Sequence, residues 1–278
     1  MSVAGKLYVV GTPIGNLEDM TFRAIETLKK VNFIAAEDTR HTGKLLQHFQ
    51  IATPQISYHD HNRVSREGEL LEILSRGQDI ALVTDAGMPG ISDPGYELIH
   101  ACLQAGIEVI PIPGVTAVIT ALAVSGLPTE RFCFEGFLPT KEKSRKARLE
   151  SLQGEERTMV FYEAPHRIVK TIEDFRETFG KARKIVLGRE LTKLYEEFWR
   201  GTISEAMDYL TGKQLKGEFT IVVTGTTESD TVQLSDEELK RELKQIMEKG
   251  INRSQASRQL AQVTNFSRSY LYKLALEI

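Results

Sequence analysis

Leu7-Tyr8-Val9-Val10-Gly11-Thr12-Pro13-Ile14-Gly15-Asn16 is four apolar residues running into a glycine- and proline-rich turn. A short apolar run stopped in this way reads as a buried strand feeding a loop. The same unit recurs. Phe33-Ile34-Ala35-Ala36, Ile56-Ser57-Tyr58, Ile80-Ala81-Leu82-Val83 and Val109-Ile110-Pro111-Ile112 are each a helix away from the next. Between them, Phe22, Ile25 and Leu28 follow a cap at Asp19 or Thr21, and Leu70, Leu71 and Leu74 run to Gly77. After Gly114 an apolar segment to Ser125 reads as another helix, broken at Gly126-Leu127-Pro128. Strands alternating with helices predict βαβ units wound into a mainly parallel sheet over residues 1–126.

The second half has another rhythm. Phe132-Cys133-Phe134, Met159-Val160-Phe161-Tyr162, Ile185-Val186-Leu187, Glu196 to Trp199 and Phe219 to Val223 read as strands, the later ones close enough together for antiparallel pairing. A second α/β lobe with a mixed sheet is expected over 127–226. The polar stretch Thr226 to Thr231 suits a linker. Beyond it, over 234–278, the capping box Ser235 to Glu238, a stop at Gly250 and further helices from about Arg253 and Ser267 predict a small helical domain.

Composition narrows the class. With 278 residues, 41% apolar and 26% charged, the chain has room for about two domain cores and no apolar stretch long enough for a membrane helix. Its opening Met1-Ser2-Val3-Ala4-Gly5-Lys6 shows no secretory signal pattern, so a cytoplasmic protein is expected. Cys102 and Cys133 are too few for a disulfide framework and sit among apolar neighbours, as core residues do. Lys and Arg number 35 against 38 Asp and Glu, so any nucleic-acid face has to be local.

In an open α/β sheet the ligand crevice lies beyond the carboxyl ends of the strands. There the chain carries Gly11 to Asn16, Glu37-Asp38-Thr39-Arg40-His41, Thr84 to Gly95 and Pro113-Gly114-Val115-Thr116-Ala117, four loops that predict one shared site. The first loop lacks the G-x-G-x-x-G spacing, and Pro13 removes a donor where a pyrophosphate needs one. No nucleotide triphosphate loop occurs either. His59-Asp60-His61 is too compact for a metal site by itself, and no metal is expected. Small residues with an acceptor at Asp85 suit instead a ligand that joins an amino acid to a nucleoside, the outline of S-adenosylmethionine.

Gly11 to Leu17, Ala36 to Arg40, Asp85 to Pro89, Ser92-Asp93-Pro94-Gly95, Tyr162-Glu163-Ala164-Pro165-His166-Arg167 and Arg189 to Lys193 together resemble the bacterial 16S ribosomal RNA ribose 2′-O-methyltransferases, of the tetrapyrrole-methylase-like class. The resemblance extends from about Lys6 through the helical tail. It implies two α/β lobes, usually in a homodimer, with S-adenosylmethionine in the cleft between them and a cytidine of small-subunit RNA as acceptor. Carried over by position, Pro13, Asp85, Ala86, Gly87, Ser92, Thr116, Ala117, Tyr162 and Leu191 would line the cofactor. The wider class has a Gly-Asp-Pro string where this chain has Asp85-Ala86-Gly87-Met88-Pro89.

A ribose hydroxyl is a poor nucleophile without a base. Glu37 and Glu163 are the foremost candidates, with Asp38, His59 and His166 behind them, and the carboxylates could equally brace Arg40, Arg167 or Arg189. For RNA, Arg40, His166, Arg167, Arg189 and Lys193 lie near the expected cleft. Lys141, Lys143, Arg145, Lys146 and Arg148 form either a phosphate-binding loop or a solvated helix face. The tail carries Arg253, Arg258, Arg268 and Lys273 beside an apolar set of Leu260, Val263, Leu271, Leu274 and Leu276, which reads as an RNA-docking module or a dimer support. Two rival functions remain: methylation of a tetrapyrrole or a protein, and a non-enzymatic nucleic-acid scaffold.

Overall fold

The computed structural model describes residues 4–226, 235–264, 266 and 268–278. They fall into two compact units, one running to residue 224 apart from 154–156, the other made of the remainder. The expectations at Met1 to Val3, at Thr227 to Thr231, at Ser267 and for the Val263 side chain lie outside the described residues.

The first unit begins with a parallel sheet of β1 (Leu7–Val10), β2 (Phe33–Ala36), β3 (Gln55–Ser57), β4 (Ile80–Val83) and β5 (Val109–Ile112) in the order β3-β2-β4-β1-β5. Alternating side chains serve opposite faces. Val10, Ile34, Ala36 and Val83 pack under α1 (Phe22–Lys30) and α2 (Thr39–His48), while Leu7, Val9 and Leu82 pack under α3 (Arg63–Ser75) and α4 (Tyr96–Gln104). Cys102 is buried on the latter face. Thr21 caps α1 by accepting from the Ala24 N–H at 3.1 Å. The buried face of α1 is Ala24, Thr27 and Leu28, and Phe22, expected on that face, is 90% exposed because the helical period places it on the opposite side.

The second sheet is mixed, as expected: β6 (Phe132–Phe137), β7 (Thr158–Glu163), β10 (Phe219–Val223), β8 (Lys184–Arg189) and β9 (Glu197–Thr202) lie side by side in that order. Only β6 and β7 are parallel, and every other pairing is antiparallel. Central β10 is buried along its whole length, so it shows no polar alternation. One face is covered by α6 (Glu142–Ser151), α7 (Ile168–Phe179) and α8 (Ile203–Leu210). The other is covered by α5 (Ala117–Ser125), whose Val118, Ala121 and Leu122 meet Val160, Val186, Val222 and Leu191. Gly126 ends α5 in the left-handed conformation at φ +76°.

The basic stretch from Lys141 is helical, so of the two alternatives the loop does not hold. It forms α6, and Arg145 is buried against Asp174 at 2.6 Å and the Thr140 carbonyl at 3.2 Å. Arg148 pairs with Glu135, and Lys146 with Glu142 and Glu177. Much of this charge holds the lobe together.

In the second unit, α9 (Asp236–Glu248), α10 (Arg253–Val263) and α11 (Arg268–Leu276) enclose a small core of Leu239, Leu243, Ala256, Leu260, Leu271, Leu274 and Ala275. The Ser235 to Glu238 capping box forms. Leu276, expected in the apolar set, is 55% exposed in the last turn. Among the described residues no helix is long and apolar enough to cross a membrane.

Candidate active site

A cavity of about 480 Å³ opens where the strand ends of the parallel sheet face the second sheet. That volume lies in the range of ligand sites, roughly 300–1,000 Å³. The loops after β1, β4 and β5 build one wall, because those three strands are neighbours in the sheet order. Two backbone features hold the wall together. Thr12 and Gly87 exchange hydrogen bonds at 2.9 and 3.1 Å, with the Thr12 hydroxyl donating to the Thr84 carbonyl at 3.0 Å. Gly11 and Gly114 approach so closely that a Cβ on Gly11 would lie 2.7 Å from Gly114 Cα.

The small residues of this wall leave space. Gly87 sits at φ +83°, and a Cβ there would fill the gap towards Ile14, 3.7 Å from its Cγ2. Ala86, Gly87 and Ser92 border the cavity, as do Thr116 and Ala117 at the start of α5. Thr116 caps that helix through the Ile119 N–H. From the second sheet come Tyr162 and Leu191. Burial pushes the Tyr162 hydroxyl up to about 12, against the opposing effect of its hydrogen bond with the Val118 backbone. A nucleoside and an aliphatic chain fit such a lining, with Ile14, Tyr162 and Leu191 as apolar walls and the Ala86 to Gly87 backbone as polar floor.

Pro13 and Asp85 stand apart from the other expected cofactor residues. Pro13 is buried beside the lining residue Ile14 without bordering the cavity itself. Asp85 turns towards β2, taking the Asp38 N–H at 3.2 Å while its own N–H donates to Glu37 Oε2 at 3.2 Å. The β2 loop therefore meets the β4 loop sideways. Glu37, Asp38 and Arg40 are not among the cavity's residues, because β4 separates β2 from β1. Burial, outweighing the Asp85 N–H, raises the Glu37 pKa above the usual range. Arg40 is exposed and holds Asp38 in a two-pronged pair at 3.0 and 2.7 Å, which keeps that carboxyl well below the usual range.

Glu163 borders the cavity, yet its carboxylate is committed elsewhere. Its side chain is wholly buried. Oε2 accepts from the Thr171 hydroxyl at 2.6 Å, and Oε1 accepts from the Ala164 N–H at 2.8 Å and lies 3.3 Å from Arg167 Nε. Arg167 also donates to the Leu138 carbonyl at 2.7 Å. These contacts brace the Ala164-Pro165-His166 segment, leaving His166 exposed at the cavity's edge. Arg189 is likewise tied down, to the Lys216 carbonyl at 2.7 Å and to Glu197 at 3.4 Å. Lys193 does border the cavity, held by Glu190 at 2.9 Å and Glu218 at 3.0 Å.

Ile14, Phe137 and Asp93 line the cavity without a role expected from the sequence, and Asp93 is the one with a titratable group. It borders the cavity, and burial, reinforced by Glu37 and Asp85, pushes its carboxyl up to about 7. The available signal was its place in Ser92-Asp93-Pro94-Gly95 at a strand-end loop.

The family model for tetrapyrrole (corrin/porphyrin) methylases matches residues 6–207. A protein of Synechocystis sp. named ribosomal RNA small subunit methyltransferase I is 60% identical over 99% of this chain and 98% of its own length. The chain belongs to the tetrapyrrole methylase family. A second relative of this tetrapyrrole methylase, from Haemophilus influenzae and with the same name, is 44% identical over 99% of the chain and 97% of its own. The fold is shared with the uroporphyrin-III C-methyltransferase of Thermus thermophilus complexed with S-adenosylhomocysteine, with a TM-score of 0.55 and 18% identity over 78% of this chain and 97% of that one.

Proposed function

We propose that the protein transfers a methyl group from S-adenosylmethionine to the ribose 2′-oxygen of a cytidine in small-subunit ribosomal RNA, in the cytoplasm and as a homodimer. The observation that carries this is the near full-length match, at 60% identity, to a relative named for small-subunit RNA methylation. The cavity supports it. When bound, the cofactor would supply an electrophilic methyl on a sulfonium, a reaction that asks chiefly for alignment of acceptor, methyl and sulfur.

The chain's own residues then have separate tasks. Ala86, Gly87 and Ile14 on one wall, with Tyr162 and Leu191 on the other, hold an adenosine and exclude water. Ser92 and Thr116 offer hydroxyls beside it. His166, Lys193 and the aromatic face of Phe137, which is 55% exposed at the same cavity, would receive the nucleotide. Arg40, largely exposed, would reach phosphate from outside, while Arg167 and Arg189 act by holding the loops that carry these groups. The arginines of the helical unit would add a further RNA contact.

Purified protein incubated with small subunits or their naked RNA and methyl-labelled S-adenosylmethionine, followed by nucleoside analysis, tests the reading. 2′-O-methylcytidine is expected. A base-methylated product would refute the ribose assignment, and label on a tetrapyrrole or protein alone would refute the acceptor.

A further inference from the structure

Among the described residues three carboxylates border the cavity: Asp93, Glu163 and Glu218. Glu163 spends both oxygens on Thr171, Ala164 and Arg167. Glu218 has a side chain 81% exposed and is paired with Lys193. Asp93 differs. Its carboxylate makes no hydrogen bond or ion pair with any described residue.

Its position is also fixed. The preceding Ser92 sits at φ +64°, a left-handed conformation that costs a non-glycine residue energy and persists only where its surroundings impose it. The Gly90 N–H closes the loop onto the Pro94 carbonyl at 3.2 Å, Pro94 and Gly95 are buried, and Gly95 at φ +146° opens α4. From the second sheet, Gly136 at a bulge in β6 comes close enough that a Cβ there would lie 3.4 Å from Ser92 Oγ. The loop is clamped with its one uncommitted acid at the cavity.

We propose that Asp93 is the catalytic base that takes the proton of the acceptor hydroxyl. This rests on the methyl-transfer reading above. The hydroxyl proton passes to an Asp93 oxygen while a lone pair of the ribose oxygen forms the new O–C bond. The S–C bond breaks with its electron pair going to sulfur, and the proton leaves Asp93 to water. Burial is the main reason such a base would work near neutrality, helped by the negative groups around it: Glu37 at the end of β2, Asp85 after β4, Asp60 after β3 and Glu218 ahead of β10. Tyr162 on β7 faces it as a neutral hydroxyl, and His166 and Lys193 share the cavity.

The test compares wild type, Asp93→Asn and Asp93→Glu in single-turnover methyl transfer to small subunits between pH 5 and 9, with S-adenosylhomocysteine binding and thermal unfolding measured on the same samples. The wild-type rate should rise tenfold per pH unit up to about 7. D93N should lose roughly 10²–10⁴-fold in rate, keep ligand affinity and lose the acid limb. D93E should keep partial activity with the limb moved. In unfolding, wild type should lose stability relative to D93N progressively from about pH 4, where the unfolded carboxyl ionises, to about 7, and level off above it, because only wild type has to bury a charge. Unchanged turnover in D93N, an unmoved limb in D93E, or a pH-independent stability difference would overturn the assignment. If wild type itself transfers no methyl group, the functional reading fails first. If wild type is active and D93N equals it, only the base is wrong.

Discussion

The backbone of Gly15 presses on the side chain of Lys193, so closely that a Cβ built on the glycine would lie 2.3 Å from Lys193 Cγ. This is where the β1 loop of the parallel sheet touches the 191–193 segment of the second lobe, and Leu191 of that segment forms a cavity wall. Gly15→Ala should push the segment back. Overpacking of this kind costs about 1–3 kcal/mol, so the affinity for S-adenosylhomocysteine should fall about tenfold or more. Titration calorimetry checks this, and an unchanged affinity would show that the wall is not set by this contact.

Glu163 should behave as a brace. Glu163→Ala strands the Arg167 guanidinium and the Thr171 hydroxyl, and breaking such a buried pair costs about 3–5 kcal/mol. Thr171→Val removes one partner, for about 1–3 kcal/mol. Urea unfolding measures both. A base at Glu163 would show the opposite pattern in Glu163→Gln, with lost turnover and intact stability.

Glu37 is the charge that weighs most on Asp93 after burial. Glu37→Gln should therefore lower the Asp93 pKa and move the acid limb of methyl transfer towards lower pH. The stability consequence has the same sign. A carboxyl raised in the fold favours folding below its unfolded value and loses that contribution as pH rises through its folded value. Glu37 and Asp93 are both raised, so wild type should weaken from about pH 4, the unfolded carboxylate value, up to about 7 and level off above it, and the Glu37→Gln chain should weaken less. Thermal unfolding across that range reads the difference.

Along α6, Arg145→Ala should destabilise the protein by about 3–5 kcal/mol, since it leaves Asp174 buried without its guanidinium. Lys143→Ala at the exposed position nearby should cost next to nothing. If Arg145→Ala reduced affinity for small subunits with stability unchanged, the buried pair would not be what holds this helix.

The strands were readable in the sequence because a buried parallel strand is a short apolar run between turns, and β1, β2, β4 and β5 fall on such runs residue for residue. Their order in the sheet was not. Four strand-end loops looked equivalent along the chain, but placing β4 between β1 and β2 brings three of them to the cavity and turns the fourth, with Glu37 and Arg40, onto its neighbour. Asp85 and Glu163 were legible as acids near the site. Their partners were not, because the Asp38 N–H and the Thr171 hydroxyl come from tertiary contacts. Nothing local marks Arg145 as a core residue, for the same reason: Asp174 is 29 positions away.

Helix α5 follows the last parallel strand in sequence and gives its apolar side to the second sheet. Severing the chain at Gly126 would consequently leave one fragment with a greasy helix and the other with a bare sheet face, each insoluble alone. Co-expressed, the two pieces should find each other and restore the enzyme, whereas a hinge between the halves would have let them live apart.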